Sequence, residues 1–308
     1  MTALERALSD YLTLRWRLGY KLGRPGQLLG QFVAYLDDVG AQTVTIERAV
    51  EWATQPAGAD PNWWAYRLDA VRSFAAYLHT LDPTVPLVPR DLLPYRSRRA
   101  TPYLYSDDEL AALIAAAGDL PHPLRADTYQ TMIALLAVTG LRIGEAISLD
   151  VDDLDPERGV LVVREAKFSK TRQLPLHAST IAALADYLER RQRLCPRPRS
   201  QALFLSGRGS RVCHCNISAT FHELTRVAGL APRSARCRPR LHDVRHTFAV
   251  RTVLDWYRAG VDVQARMPLL STYLGHVTPA ATYWYLSAAP ELLALAGQRL
   301  EQHLEDRS

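Results

Sequence analysis

Leu241-His242-Asp243-Val244-Arg245-His246-Thr247 sets a histidine and an arginine three residues apart, at the start of an apolar pattern that predicts a helix over His242 to Tyr257. On a helix that spacing puts His242 and Arg245 on one face. A guanidinium forks onto two oxygens while an imidazole handles a proton, so the pair suits an anionic centre. Alone, a His-x-x-Arg pair is common and usually structural. Its meaning depends on its neighbours.

Two further clusters flank it. Upstream lies Thr139-Gly140-Leu141-Arg142-Ile143-Gly144-Glu145. Gly140 suits the position after a helix C-terminus, and Arg142 then opens the next helix with its side chain free to project. By itself this is a helix corner with an Arg142–Glu145 salt bridge. Downstream lies Leu274-Gly275-His276-Val277-Thr278-Pro279, followed by Tyr283-Trp284-Tyr285. Thr278 reads as an N-cap and Pro279 as a first helical residue, so a helix carrying both tyrosines starts there, with His276 on the preceding turn. By themselves, a lone histidine and an aromatic pair are ordinary packing residues.

The ordered set is the specific signal: Arg142, then about a hundred residues on His242-x-x-Arg245, then Leu-Gly-His276, then a tyrosine nine residues later. In this order the chain, from about residue 100 to 290, resembles the tyrosine recombinase (phage integrase, Xer-like) family. The resemblance implies that Arg142, Lys167, His242, Arg245, His276 and Tyr285 are catalytic, with Glu145 the supporting acid. The nine-residue interval selects Tyr285 over Tyr283. The position just after the first strand selects Lys167 over Lys170. One departure from the common pattern is the stretch Asp262 to Ser271, which is proline-broken and reads as a loop variant.

The same resemblance implies a fold, an activity and partners. The fold is mainly α with a small β-sheet: a helical N-terminal core-binding (SAM-like) domain and a mixed α+β catalytic domain. The activity is site-specific cleavage and rejoining of double-stranded DNA through a covalent 3′-phosphotyrosine, with no metal and no cofactor. The assembly is a homo-tetramer on synapsed DNA, alone or with sister recombinases. Two alternatives keep the fold: a catalytically idle DNA-binding accessory protein, and a type IB topoisomerase-like nicking-closing enzyme. The intact set from Arg142 to Tyr285 argues against the first, since a pure binder has no need of the tyrosine. The separate helical domain and a full C-terminal helix argue against the second.

The rest of the chain fits a two-domain plan. Residues 1–85 read as a helical domain: Leu4, Leu8, Tyr11 and Leu12 recur at helical spacing, as do Leu29, Phe32, Val33 and Leu36. A short helix covers Ile46 to Ala53, and a fourth carries Trp64, Leu68, Val71, Ala75 and Leu78 on one face. Residues 86–102 are a proline-rich linker whose Arg96, Arg98 and Arg99 could lie against a phosphate backbone. Residues 103–308 form the catalytic domain, opened by a capping box at Ser106-Asp107-Asp108-Glu109. Helices follow over Tyr129 to Val138, Thr180 to Arg193 and Ile217 to Val227. Two strands, Val160 to Arg164 and Gln173 to Leu176, are joined by a turn through Ala166 to Thr171. After Pro290, apolar positions 293, 296, 300 and 304 share one helical face.

Composition sets the outer limits. The 308 residues are 48% hydrophobic and 22% charged, which is globular composition. Lys plus Arg number 37 against 32 for Asp plus Glu, a net charge of +5 that points only weakly to nucleic acid. No apolar run reaches the roughly 18 residues a membrane span needs, and the N-terminus has no secretory pattern, so the expected place is the cytoplasm. Cys213-His214-Cys215 invites a metal reading. A single intervening residue makes a poor chelate loop, and ordinary reduced thiols are expected.

Overall fold

A computed structural model of the chain describes residues 2–95, 100–166, 170–276 and 282–283. It divides into two compact units, residues 1–99 and 100–308.

The first unit is a bundle of α1 (Ala3–Arg17), α2 (Gly23–Asp38), α3 (Ile46–Thr54) and α4 (Pro61–Leu81). Each start except that of α2 has a local cause. Thr2 and Glu5 form a capping box, Thr45 accepts from the Arg48 amide, and Asp60 accepts from Asn62 with Pro61 following. The expected apolar faces form the core, where Phe32, Leu36, Leu68, Phe74 and Trp52 are buried. Arg67 is buried with them, its guanidinium 3.7 Å over the Trp52 ring and bonded to the Trp52 carbonyl at 2.7 Å. The start of the proline-rich stretch is stitched to this unit. Arg72 donates to the carbonyls of Val88, Pro89 and Arg90, and Val85 and Val88 join the core.

The second unit is helical around a small sheet. Its elements run α5 (Asp107–Gly118), α6 (Pro123–Thr139), α7 (Ile143–Ser148), a 3-10 turn at Val151–Asp153, β1 (Leu154–Asp155), β2 (Val160–Ala166), β3 (Lys170–Pro175), α8 (Ala178–Leu194), α9 (His214–Val227), α10 (Leu241–Arg258) and α11 (Val263–Leu274). The sheet is antiparallel in the order β1-β2-β3, with Leu161 opposite Leu174 and Val163 opposite Arg172. Leu161, Val163 and Leu174 are buried and therefore mark its inner face.

Several expectations need correction. The helix expected from Tyr129 begins six residues earlier, because Pro123 sits at the first helical position and Leu124, Ala126 and Thr128 are buried. Both hairpin strands extend further toward the turn than expected, closing with Ala166 opposite Lys170, while β3 stops at Pro175. The two-residue β1 is too short to leave a pattern. Most importantly, Asp262 to Ser271 is no loop variant. Asp262 caps α11 by accepting from the Ala265 amide, and Pro268 lies inside the helix. A proline there removes one backbone bond at a cost of about 3 kcal/mol. Burial of Val263, Met267, Leu270, Ser271 and Leu274 offsets it. The expected helix start at Thr278-Pro279 and the C-terminal apolar face fall outside the described residues.

Candidate active site

The corner that carries Arg142 depends on Gly140. It ends α6 with φ +61°, and a Cβ there would come within 2.5 Å of the Phe248 ring, so only glycine fits. Arg142 is then the cap residue of α7. Its side chain does not project freely, as the sequence suggested. Nη1 donates to Glu145 Oε1 at 2.9 Å and Nη2 to the Gly275 carbonyl at 3.0 Å, while its own amide donates to Glu145 Oε2.

His242 and Arg245 lie in the first turns of α10, as expected. Arg245 is 2% exposed. Burying a charge is costly without partners, and two carbonyls supply them: Gly140 O accepts from Nη1 at 2.7 Å and Leu274 O from Nη2 at 2.6 Å. Nη2 also lies 2.9 Å from His276 Nε2.

The end of α11 gathers these groups. The last carbonyls of a helix have no partner within it and carry the negative end of its dipole. Here three consecutive carbonyls accept from three arginines of three different elements: Tyr273 O from Arg172, Leu274 O from Arg245 and Gly275 O from Arg142. Gly275 turns the chain at φ +67°, and His276 follows. Arginine can only donate, so Nε2 of His276 accepts from Arg245 and Nδ1 carries the proton toward Thr282 Oγ1, 2.7 Å away. A bond donated from Nε2 then needs either ring protonation or the other tautomer.

The electrostatics are those of a neutral-imidazole, cationic site. Burial, then the charges of Arg245 and Arg142, push His276 down to about 4. Burial and then Arg245 also push His242 below the usual range. Burial alone would raise the Glu145 carboxyl, but the contacts with Arg172 and Arg142 outweigh it and hold it at about 2. Next to His242, its ring edge-on at 4.8 Å between centroids, buried His246 is pushed down to about 3, by burial first and His242 second. Asp243 lies 3.8 Å from His246 Nε2, but Arg240 grips that carboxylate with both prongs of its guanidinium, and burial prevails.

These shifts carry a stability consequence. An unfolded imidazole takes up its proton near pH 6.5, whereas these folded ones refuse it until pH 3 to 4. The unfolded state therefore binds more protons in that window, and stability is lost as pH falls through it. His246 alone is expected to cost about 1 kcal/mol at pH 5.5. Melting curves at pH 7.5 and 5.5 check this; an unchanged or higher melting temperature at pH 5.5 would exclude it.

Arg142, Glu145, Arg245 and His276 thus form one bonded cluster, with His242 one helical turn before Arg245. Lys167, Tyr285, Arg96, Arg98 and Arg99 lie outside the described residues. Tyr283, the competing tyrosine, is 47% exposed. The sequence reading missed Arg172, Thr282 and the buried His246. Arg172 did leave a signal, because in Arg172-x-Leu174 it takes the inward place in a strand alternation. Cys213 and Cys215 are both exposed at the start of α9, and no group of three metal-ligating side chains occurs among the described residues. Nor, among those residues, is any helix long and apolar enough to cross a membrane.

Residues 104–291 match the family model described as the phage integrase family. Over 314 aligned residues the chain is 43% identical to a putative integrase/recombinase, y4rB, of Sinorhizobium fredii, with 100% of both chains covered. Among solved structures, the integrase of transposon Tn1549 in complex with transposon right-end DNA is similar at TM-score 0.65 and 19% identity, covering 98% of this chain and 99% of that one. A lambda integrase tetramer bound to a Holliday junction is similar at TM-score 0.56 and 16% identity, over 92% and 76%. The protein is mainly α with a small sheet, an enzyme that breaks and rejoins DNA strands. The chain belongs to the phage integrase family and is a site-specific recombinase of the tyrosine type.

Proposed function

We propose that this recombinase cleaves DNA through Tyr285, at a phosphate gripped by Arg142, Arg245 and His276. The observation that carries the reading is the end of α11, where adjacent carbonyls hold two arginines of separate helices beside one histidine. Charge builds on the non-bridging oxygens of a phosphodiester as it becomes pentacoordinate, and fixed cationic donors stabilise it. The phenol oxygen of Tyr285 attacks phosphorus and the bond to the 5′ oxygen breaks. His242, neutral at pH 7, takes the phenol proton. Lys167 gives a proton to the leaving 5′ oxygen. The products are a 3′-phosphotyrosine and a free 5′ hydroxyl. The ester keeps the bond energy, so a 5′ hydroxyl of another strand reverses the step.

Double-stranded DNA is the partner; the similar Tn1549 integrase was solved in complex with transposon right-end DNA. The helical first unit is its core-binding domain; on it the half-buried Arg15 guanidinium lies 3.7 Å over the exposed Tyr20 ring. Arg96, Arg98 and Arg99 add contacts to the DNA phosphates, which makes binding salt-sensitive. The active assembly is a tetramer of this chain, like that of lambda integrase, and its place of work is the cytoplasm, with the DNA.

The test is a supercoiled plasmid carrying two copies of the sequence that borders the gene. Covalent adducts together with exchanged circles are expected. Relaxation without exchange would indicate a nicking-closing enzyme, and bound DNA without adducts an accessory binder.

A further inference from the structure

Arg172 belongs to none of the roles above, yet it bonds both Glu145 and the end of α11. It projects from the sheet face that buries Val163 and Leu174, and its side chain is only 12% exposed. A guanidinium at an inward strand position must find acceptors for its donors. It finds them on two other elements. Nη1 and Nη2 donate to the two oxygens of Glu145 at 3.0 and 2.9 Å, a two-pronged contact, and Nε donates to the Tyr273 carbonyl at 2.9 Å. Glu145 in turn holds both the amide and the guanidinium of Arg142. The turn before His276 is shaped around the same group, since a Cβ on Gly275 would meet Arg172 Nη1 at 2.9 Å.

From this geometry we infer that Arg172 is a positioning residue for strand cleavage: it locks Glu145, and through it Arg142, to the end of α11 that presents His276. It touches no reacting atom. The inference rests on the phosphate-gripping roles proposed for Arg142 and His276. It also gives the β2–β3 hairpin a function of its own, since Ala166, the residue before Lys167, ends the strand that pairs with the one bearing Arg172. Misplacement of a catalytic group by about 1 Å can cost a hundredfold in rate, and that is the scale the lock should control. Affinity for DNA should not follow it, because most of the grip on a duplex is spread over many phosphates.

The variants are Arg172→Met and Arg172→Lys. Lysine keeps the charge, but one ammonium cannot reproduce both the planar fork on Glu145 and the bond to Tyr273. On a nicked suicide duplex carrying the recombination site, at saturating DNA, single-turnover cleavage should fall about a hundredfold for Arg172→Met and about tenfold for Arg172→Lys. The dissociation constant should stay within about threefold of the parent's. A second readout separates positioning from mere support of the fold. Without Arg172, burial pushes the Glu145 carboxyl up, so the cleavage rate of Arg172→Met should drop more steeply than the parent's between pH 7 and pH 5. If Arg172→Met does not fold, Arg172→Lys decides by rate and affinity. Parent-like cleavage by the variants overturns the inference and leaves the proposed function standing. So does a loss explained wholly by weaker DNA binding or by melting below the assay temperature. A parent that forms no covalent adduct overturns both.

Discussion

Tyr285→Phe is expected to take the covalent protein–DNA adduct below detection, a rate loss on the order of 10⁴-fold or more, while DNA affinity changes by no more than about twofold. The substitution removes one oxygen. Nothing in the proposed phosphate grip uses that oxygen, since the groups assigned to the phosphate are the guanidinium groups of Arg142 and Arg245 and the His276 ring. Cleavage and binding should therefore separate completely. Gel-shift titration and denaturing electrophoresis on the same site-bearing duplex check the two quantities. Adducts that persist in Tyr285→Phe but vanish in Tyr283→Phe would move the nucleophile to Tyr283.

Arg245→Gln is expected to slow cleavage by about 10³-fold, because it deletes a buried cationic donor that no neighbour can replace. It differs from Tyr285→Phe in also costing stability. Gly140 O and Leu274 O each lose their guanidinium, and an unsatisfied buried acceptor costs about 1–3 kcal/mol. A lower melting temperature should therefore accompany the lost activity, and the assay belongs well below that temperature. His276 should respond as well. Arg245 helps hold its imidazole down, so without that charge the ring should titrate nearer its ordinary value. A variant with parent-like cleavage would remove Arg245 from the site.

Much of this molecule is legible in its sequence. Periodic apolar residues mark the helices of the first unit, and the capping residue Ser106 accepts the expected Glu109 amide. The ordered set from Arg142 to His276 names residues that the fold brings together around the end of α11. Legibility failed where a tertiary contact outweighs a local rule. Pro268 reads as a break, but five buried side chains hold α11 through it. The strand alternation gives Arg172 an inward place but not its partners, because Glu145 and Tyr273 lie 27 and 101 residues away in the chain. No local pattern contains such pairs. The same holds for the three carbonyls at the end of α11, whose bonds to Arg142, Arg172 and Arg245 exist only once the fold has formed.

A suicide duplex nicked just beyond the cleavage point lets the short downstream strand diffuse away, so the cleaved intermediate cannot religate and accumulates. Proteolysis followed by mass spectrometry of the nucleotide-bearing peptide then locates the bond. The expected product is Tyr285 esterified to a 3′ phosphate, with a 5′ hydroxyl on the released strand. A nucleotide attached to Tyr283 or to any other residue, or attachment through a 5′ phosphate, would contradict the proposed mechanism.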